Sequence, residues 1–124
     1  MREILFKGKR VDNGEWTEGY FFKSWDKVFL LWGMTGNSPN MEEVKPETVG
    51  QYTGLKDKNE KKIFEGDILL KGFEKVLVKW NANQCRWGIY SNNYEICGFN
   101  ESTQGYFEVI GNIYDNSELL EVEE

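Results

Sequence analysis

The chain has 124 residues, 40% of them apolar and 15% aromatic, which is ample for one domain or two small lobes. The net charge is −6, with no histidine and two cysteines, so the usual Cys/His tetrahedral zinc sets and the common Ser-His or Cys-His nucleophile pairs are excluded. No apolar run approaches the ~18 residues of a membrane span, and the opening Met1-Arg-Glu-Ile-Leu-Phe-Lys-Gly has no signal-peptide core, which predicts a cytoplasmic protein with Cys85 and Cys97 as free thiols.

In chain order, Ile4-Leu-Phe-Lys7 and Trp16–Lys23 read as strands joined through Asp12-Asn-Gly14, because Asn-Gly tolerates the left-handed backbone of a hairpin turn. Val28-Phe-Leu-Leu-Trp32 reads as a third strand, too apolar to be half exposed. The Gly/Ser/Pro/Asn stretch from Met34 to Asn40 reads as a loop, and the division between an N-terminal β meander (1–43) and the rest (44–124) is expected between Met34 and Glu43, the two sharing one core. Lys45-Pro46 opens a turn. Tyr52-Thr53 and Lys62–Phe64 flank a turn at Asp57–Glu60. Asp67–Leu70, Val76–Trp80, Arg86–Tyr90 and Tyr106–Asn112 complete the strands, and their length fits a small barrel. Ser117–Glu121 reads as a short helical turn capped by Ser117, ordered to Leu120.

The charge is unevenly placed. Every basic residue lies at or before Arg86, and the chain beyond it carries 8 acidic residues. That last third is a poor surface for nucleic acid, which needs cations to displace counterions. It reads as a solvated acidic ending, or as an acidic face for a basic partner.

The run from Val44 to Leu70 carries Pro46, Gly50, Tyr52, Gly54, Leu55, Gly66 and Asp67. With the opening Arg2–Gly8 and the closing Phe107–Glu121, which includes Gly111 and Asn112, it resembles the YopX-type proteins of phages and prophages. The resemblance implies an SH3-like small β-barrel in the second half and no established activity, and it leaves a homo-oligomer open. Relatives often read Asp-Lys-Asn-Gly where this chain has Asp57-Lys-Asn-Glu60, so a left-handed residue 60 would cost about 1 kcal/mol.

Three constellations could carry chemistry. Glu65-Gly-Asp67, helped by Glu47 or Asp57, could hold a divalent cation for hydrolysis, although Asp67 reads more simply as an acceptor for turn amides. Lys56, Lys58, Lys61 and Lys62 form a basic turn, either a solvated tip or a phosphate-binding knob. With Trp80, Trp87, Tyr90 and Tyr94 as stacking platforms, and Lys79 and Arg86 nearby, that turn could bind nucleic acid; the alternative is that these aromatics fill the core. The glycines at positions 50 and 54 read as sites of close backbone packing.

The expectation is a non-enzymatic protein that needs no cofactor and no membrane. It would act by binding a protein partner, a host protein among the candidates, or by self-assembly. A nucleic-acid-binding barrel and a Glu65/Asp67 hydrolase are the alternatives.

Overall fold

Residues 3–100 and 104–120 are described in a computed structural model, which is mainly β and divides into two units, Met1–Tyr52 and Thr53–Glu124. The division falls inside one strand.

The first unit contains β1 (Phe6–Lys9), β2 (Trp16–Ser24), β3 (Lys27–Thr35), β4 (Ser38–Val44), a 3₁₀ turn at Pro46–Thr48, and the start of β5 (Gly50–Lys56). All pairings are antiparallel and the order is β4-β3-β2-β1-β5. The Asn13-Gly14 signal does join β1 to β2, in the register Lys9 opposite Trp16, and the Asn13 side chain accepts the Glu15 amide at 2.9 Å. The stretch expected as a loop from Met34 to Asn40 is instead a hairpin, with only Gly36 and Asn37 outside the ladder. Pro39 is tolerated because β4 is an edge strand, where a missing N–H breaks no pairing.

A second departure concerns β3. Val28 and Leu30 are buried with Val44, Phe6 and Val49, but the alternate residues Phe29 and Leu31 are only half-buried and Trp32 is exposed. A strand in an antiparallel sheet shows two faces with period 2, and here the second face stays apolar without being covered.

The second unit holds the rest of β5, then β6 (Lys62–Phe64), β7 (Asp67–Lys71), β8 (Glu74–Asn81), β9 (Arg86–Ser91), β10 (Tyr94–Gly98), a 3₁₀ turn at Gln104–Tyr106, β11 (Glu108–Asn112) and a 3₁₀ turn at Ser117–Leu120. Its sheet order is β10-β9-β8-β7-β11, so among the described residues β10 and β11 are edges and this sheet does not close on itself. Leu69, Val76, Val78 and Ile89 face one side and join Leu55, Ile63, Phe99 and Phe107 in the core. β10 has no counterpart in the sequence reading. Its signal is Asn92-Asn93, both left-handed (φ 51° and 70°), which makes a two-residue turn between Ser91 and Tyr94. The expected C-terminal turn is present at Ser117–Leu120; the fate of the chain after Leu120 lies outside the described residues.

Candidate functional site: the outer face of β2–β4

On β2 the residues Tyr20 and Phe22 point to one side, and Phe21 points to the other, where its ring meets Phe6 at 5.5 Å. Across the sheet Tyr20 stands opposite Leu31, which stands opposite Met41; Phe22 stands opposite Phe29, with ring centroids 5.9 Å apart. Past a bulge between Leu31 and Gly33, Met34 stands opposite Pro39 on the same side. The result is a continuous apolar strip over three strands. Tyr20 is 60% exposed, Phe22 46%, Met34 60% and Met41 42%. Trp25, in the β2–β3 turn with φ 59°, is 94% exposed. At roughly half of the ~150–250 Å² that each aromatic can bury, these side chains leave about 500 Å² of apolar surface in water, comparable with the largest patch on a typical monomer. The sequence reading missed this face. Its signal was the unbroken apolar run Val28–Trp32 beside Tyr20–Phe22, in which neither face of the hairpin is polar.

The candidates from sequence, apart from Glu47, lie in the second unit. Lys56 and Lys58 are exposed, as is Lys61, while Lys62 is half-buried; Lys58 pairs with Glu108 at 3.5 Å, and its amide donates to the Phe107 carbonyl. That turn is therefore fastened to β11. Trp80 and Trp87 sit on β8 and β9 as an edge-to-face pair 5.1 Å apart, with Trp87 packed against the core. The lysine turn and the tryptophan pair are thus held by different strands, with β7 between β11 and β8. Tyr90 lies under the Lys79 ammonium at 4.8 Å, and Tyr94 is exposed on β10. Arg86 pairs with Glu95, which lowers the Glu95 pKa with help from Asn81.

The carboxylates proposed for a cation are occupied by backbone. Asp67 is buried and its Oδ2 accepts the Phe64 amide at 2.8 Å. Asp57 is also buried; Oδ1 accepts the amides of Asn59 (2.8 Å) and Lys61 (2.9 Å), and Oδ2 accepts that of Val109 (2.9 Å). Burial alone would push the Asp57 carboxyl up, but the amides of Val109, Lys61 and Asn59, with the Lys61 charge, outweigh it and hold it below the usual carboxylate range. Glu65 is half-buried, and Glu47 is exposed in the first unit's 3₁₀ turn. Among the described residues no three Asp, Glu, Cys or His side chains come together as metal ligands. Cys85 and Cys97 are free and exposed. No helix among the described residues is long and apolar enough to cross a membrane.

A family model described as YopX protein matches residues 10–121, nearly the whole chain. The chain belongs to the YopX family. No curated protein matches it. Among solved structures it is similar to protein EF1440 from Enterococcus faecalis, at 25% identity and a TM-score of 0.59, over 98% of this chain and 100% of that one.

The residues that carry the YopX signature do backbone work. Pro46 opens the 3₁₀ turn, and Gly50 starts β5 opposite Lys7. Tyr52 and Leu55 are buried. Gly54 was expected to mark a close approach; instead a side chain there would meet nothing within 4 Å, and the requirement is its φ of 88°. Gly66 needs both, with φ 90° and the Tyr114 ring 3.3 Å from where a Cβ would sit. Gly111 lies in β11 beside a register shift, and the Asn112 side chain accepts the amides of Tyr114 and Asp115.

Proposed function

We propose that this YopX-family chain is a non-enzymatic accessory protein of phage or prophage origin that acts in the bacterial cytoplasm by binding another protein through the outer face of β2, β3 and β4. The observation that carries the reading is the apolar strip Tyr20–Leu31–Met41 and Phe22–Phe29, with Trp25 and Met34 at its ends, left in water by the fold. About 500 Å² is a large part of the ~800 Å² that each partner contributes to a standard interface, and exposed aromatics are the residues that dominate such interfaces. The two buried aspartates, both engaged by backbone amides, support the non-enzymatic side of the reading. The second unit is read as an SH3-type arrangement in which the β5–β6 turn folds onto β11. The Asp57 bond to Val109 and the Lys58 bond to Phe107 support this.

The test is an affinity capture from bacterial lysate with the solution mass measured on the same sample, for the wild type and for Tyr20→Glu/Phe22→Glu. The expected result is a nuclease-resistant protein partner, or a defined self-assembly, that the double variant loses while its melting temperature is unchanged. A monomer that captures nothing refutes the reading. So does recovery of nucleic acid alone, lost on raising salt, which would move the site to Lys56–Lys62.

A further inference from the structure

In the second unit the face of the sheet away from the core carries a cleft of about 230 Å³. Lys75, Leu77 and Lys79 of β8 line one side, and Tyr90, Asn92 and Asn93 of the β9–β10 hairpin line the other. Leu77 stands opposite Tyr90 in the ladder and forms an apolar floor between the two lysines, which lie four residues apart on the same side of β8. Leu120, from the C-terminal 3₁₀ turn, supplies a further apolar wall.

Among the described residues the lining contains cations, amides and a phenol ring, but no carboxylate. Among the described residues no carboxylate pairs with Lys75 or Lys79; the Lys79 ammonium rests on the Tyr90 ring instead. Glu95, which lies across the ladder from Tyr90, is turned to Arg86, to Asn81 and to the Tyr90 hydroxyl. The left-handed turn at Asn92-Asn93 brings two side-chain amides to the same rim. The cleft is smaller than the ~300–1,000 Å³ pockets of drug-sized ligands, so its occupant is small.

We infer that this cleft binds a small phosphate monoester with a flat ring. Lys75 and Lys79 meet the phosphate charge, the amides of Asn92 and Asn93 complete its hydrogen bonds, and the ring lies over Leu77 beside Tyr90. No bond is made or broken in this step. The site is distinct from the apolar face of β2–β4 and stands independently of any role given to that face.

The test is an amide-resolved NMR titration of the full chain with phenyl phosphate, and in parallel with phenol, with inorganic phosphate and with a short glutamate-rich peptide. The expected result is saturable shifts for phenyl phosphate confined to residues 75–79 and 90–94, weaker shifts with inorganic phosphate, and none with phenol. Lys75→Gln and Lys79→Gln should each weaken phenyl phosphate binding about tenfold, the loss of one charge-assisted hydrogen bond. Lys75 is exposed and Lys79 half-buried, and unchanged spectra elsewhere show that the variants fold. Absence of saturable shifts with phenyl phosphate, equal binding by the variants, or occupancy by the acidic peptide in place of phenyl phosphate overturns the inference.

Discussion

Asp57→Asn is the most informative single change, because it alters one atom and leaves the shape of the side chain intact. In the native turn Oδ1 receives two amides and Oδ2 receives a third from Val109, fifty-two residues away. Asparagine keeps one oxygen for the turn amides but sets its own N–H₂ against the Val109 N–H, so one charge-assisted hydrogen bond becomes a clash of donors. A hydrogen bond to a charged group contributes about 1.5–3 kcal/mol, and we expect a loss of about 2 kcal/mol. For a chain of this length that corresponds to a melting point lower by about 6–10 °C. The assay is urea unfolding followed by tryptophan fluorescence, with the midpoint lowered and the slope unchanged. The sign with pH follows from the lowered carboxyl pKa. Stability from Asp57 is fully present above its unfolded value of about 3.9 and is lost as pH falls through the lower folded value. The gap between wild type and variant is therefore constant near neutrality and narrows in acid below about pH 4. A variant within about 0.5 kcal/mol of wild type, the ordinary range for surface changes, would refute the reasoning. A gap that stays constant into acid would do the same.

Glu60 has φ 66°, so Glu60→Gly relieves a left-handed residue worth about 1 kcal/mol, part of which returns as unfolded-chain entropy; the melting temperature rises by a few degrees, and an unchanged or lower value would show that the relief is cancelled. Ile89→Ala opens a cavity in the second unit's core and lowers stability by about 2–5 kcal/mol in the same urea assay, whereas an effect below about 1 kcal/mol would mean that the core collapses around the gap. Phe73, fully exposed in the β7–β8 turn, makes a contrasting control: Phe73→Ser changes stability by less than about 0.5 kcal/mol by thermal melting.

Much of this protein was legible in local signals. Asn13-Gly14 marks a real hairpin connection, the departure at Glu60 pointed to the position where a left-handed residue is found, and the alternation of Val76 and Val78 with Leu77 and Lys79 does separate the core side of β8 from its outer side, although Trp80 at its end is half in water. These succeed because backbone conformation and period-2 patterning are properties of neighbouring residues. The run Val44–Leu70 and its flanking motifs likewise sufficed to place the chain in its family. The tertiary structure alone decided which apolar residues stay in water. In β2 and β3 both faces are apolar, so alternation carries no contrast, and only packing on Phe6, Val44 and Val49 selects Leu30 for the interior and leaves Tyr20 and Phe22 outside. Pro39 read as a loop breaker because nothing local says that its strand is an edge. The role of Asp57 was hidden for the same reason: the amide it satisfies belongs to Val109, and a partner brought in by the fold leaves no mark on the residues around the turn.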